Sequence, residues 1–174
     1  MNESTDAETA DAATQPRGKG SAGADSGTEY VPSPSERVRD QVARYEATGG
    51  VEGGELGGLP VIILTTTGAR SGKTRKNPIM RVEQDGVYAA IASYAGGPEN
   101  PRWYYNLLAH PYATVQDGPQ IRRVRAREVF DEEKQGWWAV ADARNPNYAR
   151  YRSTAGRDIP ILALEPAEWA DEVG

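Results

Sequence analysis

The stretch that decides the fold is residues 59–81, LPVIILTTTGARSGKTRKNPIMR. Its first half, residues 60–67, is apolar and β-branched and lies between proline and glycine, the composition of a buried strand. The second half changes character. Gly68 and Gly72 permit a tight turn, and Arg70, Lys73, Arg75 and Lys76 gather positive charge with no acid between Glu55 and Glu83. A core strand that runs into a Gly/Ser/Thr loop with fixed cations can hold a phosphate or a carboxylate. Backbone N–H groups and the Ser71 hydroxyl donate, arginine offers a bidentate fork, and lysine supplies a point charge. The spacing is not that of a GxxxxGK[ST] loop, because Gly68 and Gly72 stand too close. A solvated basic hairpin turn is the plain alternative.

The whole chain has 174 residues, enough for one domain with a real core, and a net charge of −5. Most of that acidity falls in residues 1–30, which contain no Val, Ile, Leu, Phe or Trp. Such a segment cannot bury enough apolar surface to offset its ordering entropy and reads as a disordered acidic tail. Residues 31–174 are then a nearly neutral domain, which argues against a nucleic-acid partner. Without cysteine there is no disulfide, thiolate metal site or cysteine nucleophile. The single histidine, His110, precedes Pro111 where a helix is expected to end, and reads as a turn residue. No run approaches the length of a membrane span, and a cytoplasmic location is the expectation. Arg37, Arg39 and Arg44 leave membrane association open, although Glu36, Asp40 and Glu46 make an ordinary surface helix the plainer reading.

That helix starts at Ser33-Pro34-Ser35-Glu36, with Ser33 as cap, Pro34 in the first turn and Glu36 closing a capping box. Val38, Val42 and Tyr45 form its apolar stripe, and Thr48-Gly49-Gly50 stops it. Beyond the basic turn, residues 78–83 and 86–92 read as a hairpin around Asp85-Gly86. The second strand enters Ser93-Tyr94-Ala95-Gly96-Gly97-Pro98, a flexible loop in which glycine allows close approach to a flat ligand. A helix over residues 101–109 carries Trp103, Tyr104, Leu107 and Leu108. Residues 112–116 and 120–130 form another hairpin, with Arg123, Arg125 and Arg127 on one face. Asp131 caps a helix over 132–143, Tyr148 and Tyr151 share a face if their segment is helical, and a last strand spans 158–164. The order favours hairpins over crossovers. It predicts an α+β, mainly β fold: a barrel of about six mostly antiparallel strands with three or four packed helices.

Four segments in this order, LTTTGARSGKTRKNP, IASYAGGPENPRWYYNLLAHP, VRAREVF and NPNYARY…RDIPILALEP, resemble the deazaflavin-dependent nitroreductase family. The resemblance covers residues 59–166 and implies a split β-barrel that binds coenzyme F420. It implies that Arg70, Ser71, Gly72, Lys73, Arg75 and Lys76 hold the cofactor's phosphate and acidic tail, with Arg75 at the family's phosphate-side arginine. It further implies that Asn77 and Pro78 lead toward the deazaflavin ring, that Met80, Ser93, Tyr94, Ala95, Gly96, Gly97, Trp103 and Asn106 also bind the cofactor, and that Tyr148 and Tyr151 line the acceptor's pocket. The chain departs from the family at Ala69 and Ala95, where cations are common, at Met80, where an aromatic is common, and at Asn145, which replaces the first of three pocket tyrosines.

The implied activity is hydride transfer from reduced deazaflavin to an electron-poor small molecule such as a quinone, enone or nitroaromatic. Tyr148 or Tyr151 would serve as hydrogen-bond or proton donor. A binding module without turnover and an FMN-dependent relative are the other readings. The basic turn favours F420, since FMN has no acidic tail. Split barrels often pair, which admits a homodimer, but no residue specifies the interface.

Overall fold

In a computed structural model of the chain, residues 29–168 are described. Residues 1–28, which hold nearly all of the expected acidic tail, lie outside them. The elements follow in order as α1 Glu36–Thr48, β1 Glu55–Leu56, β2 Leu59–Thr67, β3 Thr74–Met80, β4 Glu83–Gln84 and β5 Val87–Ile91. A 3-10 turn at Tyr94–Gly96, α2 Arg102–Ala109, β6 Tyr112–Asp117, β7 Gln120–Glu128, α3 Asp131–Arg144, α4 Tyr148–Thr154 and β8 Ile161–Pro166 complete them. The strands form one antiparallel sheet in the order β1-β2-β6-β7-β8-β5-β4, with β3 also paired to β2. The sheet curls into a half-barrel in which β3 comes into contact with β5, near the opposite edge of the sheet. Six strands are substantial among the described residues; the two-residue β1 is unexpected, and β4 is what remains of the expected strand over 78–83.

β2 is covered on both faces, which explains its unbroken apolar run. Ile62 and Leu64 enter the barrel interior with Tyr88, Leu107, Val115 and Leu164. Val61 and Ile63 meet Val38, Val42 and Tyr45 on the stripe of α1. The cap of α1 is Ser35, whose Oγ accepts the Val38 N–H, and not Ser33. Ser33 Oγ accepts the Ser35 N–H instead and so shapes the turn just before the helix. Gly49 ends α1 with φ 61°, a left-handed residue that glycine adopts without a Cβ penalty.

The basic turn is shorter than expected because β3 starts at Thr74, so that Arg75, Lys76, Asn77 and Pro78 are strand residues paired with Thr66, Thr65, Leu64 and Ile63. Pro78 is tolerated because, among the described residues, the other side of β3 has no ladder partner there. The expected 78–92 hairpin therefore shrinks to Glu83–Gln84 against Val87–Tyr88. Glu29 and Tyr30 run beside β3, with Glu29 O accepting the Thr74 N–H and Tyr30 bridging Thr74 in parallel. Asp131 opens α3 without a side-chain cap, although three acids in that first turn suit the helix dipole. β8 starts three residues later than expected, after Pro160, whose carbonyl accepts the Ala92 N–H. Arg123, Arg125 and Arg127 stay on the exposed side of β7, where Arg127 pairs with Glu133 and Glu165. Among the described residues no helix is long and apolar enough to cross a membrane.

Side chains tie the seam between β3 and β5. Asp117, at the end of β6, accepts from Arg81 Nε at 3.0 Å and from the Tyr88 hydroxyl at 2.6 Å. Burial and this carboxylate push the Tyr88 phenol up to about 12, so the fold retains the neutral hydroxyl. The stability that it contributes is complete below pH about 10 and is lost as pH rises through about 12. Urea denaturation across this range should show a steeper loss for the native chain than for Tyr88→Phe. Parallel slopes would show that the seam does not rest on this phenol.

Candidate functional site

Two cavities of about 640 Å³ each adjoin at β3 and the start of α2. The first is a polar groove between the basic turn and the loop before α2, lined by Arg70, Ser71, Arg75, Arg102, Asn106 and Arg157 among others. Arg75 is 8 % exposed. Burial first, and the Arg102 guanidinium second, hold it below the ordinary arginine range. A buried guanidinium that feels a second, exposed one, with Glu99 the one acid among the described residues that line the groove, has the electrostatics of an anion site. Asn106 builds the groove. Its Oδ1 accepts the Ala69 N–H at 2.9 Å, and its Nδ2 donates to Thr66 Oγ1 at 3.1 Å, so α2 holds the turn against β2.

The second cavity is a largely apolar cleft over β3. Asn77, Pro78, Ile79 and Met80 form its floor, Ser93, Ala95 and Trp103 one wall, and Asn145, Tyr148 and Tyr151 another. Arg37, Leu56 and Leu59 close the remaining side. Tyr148 is buried, and its ring meets Trp138 and Tyr151 edge to face at 5.9 and 6.0 Å. Packing therefore fixes the tyrosines' orientation.

The wall loop is strained and pinned, where the sequence suggested flexibility. Tyr94 and Ala95 take φ 49° and 51°, a region that costs a non-glycine residue about 1–3 kcal/mol. Gly96 follows in the same region, and a Cβ there would stand 2.5 Å from Thr154 Oγ1 and 3.2 Å from Tyr151 Cα. Arg157 offsets the strain. Its guanidinium donates to the carbonyls of Ala92, Ser93, Gly97 and Glu99 at 2.9–3.2 Å, and to Asn100 Oδ1.

Arg70, Ser71, Arg75 and Asn106 thus meet in the groove, and Asn77, Pro78, Met80, Ser93, Ala95, Trp103, Tyr148 and Tyr151 meet in the cleft. The remaining expected residues line neither. Lys76 pairs with Glu46 at 2.6 Å beneath the Tyr30 ring, and Lys73 pairs with Glu29 at 3.1 Å. Gly72 makes the turn, while Tyr94, Gly96 and Gly97 shape the loop from behind. Sequence reasoning missed Arg37, Arg102 and Arg157. Only Arg102 carried a local signal, being next to Trp103.

Every buried side-chain polar atom without a hydrogen-bond partner among the described residues is a nitrogen: Arg37 Nε and Nη2, Trp103 Nε1 and Asn145 Nδ2. All belong to residues that line the cleft. An unmet buried donor costs about 1–3 kcal/mol, so the cleft is shaped for a ligand that presents oxygens.

The sequence profile of the F420H(2)-dependent quinone reductase family matches residues 37–166. A relative described as an F420H(2)-dependent quinone reductase of Mycobacterium tuberculosis is 32 % identical over 132 residues, 74 % of this chain and 87 % of its own. A solved structure described as an F420-H2 dependent reductase is 45 % identical, with TM-score 0.58, over 61 % of this chain and 94 % of its own. Another, described as a domain-swapped dimer, is 40 % identical, with TM-score 0.61, over 72 % of this chain and 92 % of its own.

Arg157→Ala should lower stability by about 2–3 kcal/mol through the lost charge-assisted bonds, and speed amide exchange at Ser93, Gly96 and Gly97 more than in the β2–β6 ladder. Uniform acceleration throughout the sheet would refute a local clamp.

Proposed function

The chain belongs to the F420H2-dependent quinone reductase family, and on that footing we propose that it reduces a quinone-type acceptor at the expense of reduced F420. The observation that carries this reading is the junction of an arginine-lined groove, with the buried Arg75 at its base, and an apolar cleft along one strand. The residues present fit the cofactor. The orphaned donors of the cleft suit carbonyl oxygens, and the Arg75–Arg102 recess suits a phosphate and acidic tail. Bound there, reduced F420 supplies a hydride to the acceptor.

The chain's own residues bind, orient and protonate. Arg70, Ser71, Arg75 and Arg102 hold the anionic end, and Lys73 and Lys76 add long-range charge from weak surface pairs. Asn77, Pro78, Met80, Ser93, Ala95 and Trp103 bracket a flat ring in a fixed plane and exclude water. Tyr151, half-buried at the rim, and Tyr148 behind it donate to the oxygen on which negative charge develops. FMN would leave the tail-binding part of the groove without use. The solved neighbour described as a domain-swapped dimer supports a homodimer for this chain as well.

Fluorescence titration should show F420 bound in preference to FMN. Arg75→Ala should weaken F420 binding about 10–100-fold, and raised salt should weaken the native protein more than the variant. A preference for FMN, or an Arg75→Ala variant that binds F420 as tightly, would sink the groove assignment. Tyr151→Phe should lower kcat about 10–100-fold with F420 affinity within about threefold. An unchanged kcat would leave Tyr151 as wall.

A further inference from the structure

A planar, oxygen-bearing acceptor fits the cleft whether or not it is charged, but one side chain there, Arg37, discriminates by charge. Among the described residues that line the cleft there is no aspartate or glutamate, and Arg37 is the single charged side chain. Its two unpartnered atoms are Nε and Nη2, the pair of parallel N–H donors on one edge of the guanidinium. That edge is the one that matches both oxygens of a carboxylate at once. Arg37 is half-buried, but this edge is shut off from solvent, and a shielded guanidinium edge with no partner and no counter-charge among the described residues is costly unless a ligand completes it.

Position assigns that ligand to the acceptor and not to the cofactor's acidic end. Val38, the residue after Arg37, packs with Leu56 and Met80, which places Arg37 at the Met80 end of β3. The cationic groove begins at Arg75, five strand residues away, or about 17 Å at the usual rise. Two separate positive poles therefore bracket the ring site along β3. Arg75 and Arg102 form the inner pole, and Arg37 forms the outer one. Asn145 reinforces the outer wall: its Oδ1 accepts the Asn147 N–H at 3.0 Å, which fixes the amide so that the unpartnered Nδ2 is the face left for a ligand.

We infer that Arg37 is a specificity-determining residue that makes this cleft select acceptors carrying a carboxylate on a planar carbonyl ring system. The inference rests on the quinone-reductase reading for the ring and on Arg37 for the charge. Its expected signature is a difference between two acceptors of equal size and shape that differ only in ionisation.

A matched pair of probes tests this: a naphthoquinone with a short carboxylic acid side chain and its primary amide. Binding to the full chain without F420, read by quenching of tryptophan fluorescence, should favour the acid at least tenfold. KM values with F420H2 should follow the same order. In Arg37→Gln the preference should fall to within about threefold, chiefly through lost acid affinity. Arg37→Lys, which keeps the charge without the fork, should retain part of it and serves as the decisive variant if Arg37→Gln does not fold. Equal binding of acid and amide by the native protein would overturn the proposal. So would an equal loss of both probes in the variants, or a loss of F420 affinity with the acid preference intact, which would give the fork to the cofactor. Failure of F420 to bind while the acid probe still binds through Arg37 would reject the reductase reading and leave the carboxylate subsite standing.

Discussion

The register between β2 and β3 is the constraint from which the rest of the site descends. Pairing Thr67 with Thr74 and Thr66 with Arg75 puts Arg75 and Ile79 on the buried side and leaves Lys76 to meet Glu46 outside. Side chains alternate along a strand, so a slip of one residue would exchange them. It would drive an ammonium group into the barrel mouth and carry the guanidinium of Arg75 out to α1. The apolar residues of β3 oppose that slip, because Ile79 faces the interior with Ile62 and Leu64 while Met80 faces the α1 cluster with Val61 and Ile63. Hydrophobic burial on two faces thus sets the position of a charge.

A second principle is that rigidity is supplied from a distance. The backbone strain at Tyr94 and Ala95 persists because Arg157, far along the chain, spends its donors on that loop's carbonyls. Asn106 performs the same service for the basic turn with both ends of its amide. The groove and the cleft are therefore held open in advance by side chains that need not touch a ligand, which reduces the ordering cost of binding.

The sequence disclosed what local chemistry decides. The apolar run of β2, the stripe and glycine stop of α1 and the Asp-Gly turn before β5 all carry periodic or conformational signals, and the structure contains each of them. The start of β3 was hidden because Thr74, Arg75, Lys76 and Asn77 have the composition of a loop, and only pairing to β2 makes them a strand. The cap of α1 shifted because Ser33 and Ser35 are equivalent as letters and differ only in which N–H each reaches. Arg37 and Arg157 were illegible for another reason. An arginine on a helix or in a loop reads as solvated surface until the fold brings an unmet cleft or a row of carbonyls to it.

The close fit of Gly96 beneath α4 also constrains how this protein can diverge. Tyr151 and Thr154 rest on a backbone that has no room for a Cβ, so their helix cannot shift toward the loop or accept a larger neighbour there. Substitutions that retune the cleft from α4 are thus confined to side chains that point away from residue 96. A lineage seeking a new acceptor meets less resistance at Met80 or on α1, where Arg37 lies, than at the tyrosine helix. Variation among relatives with different acceptors should therefore accumulate on the α1 side of the cleft, while the loop and α4 drift together or not at all.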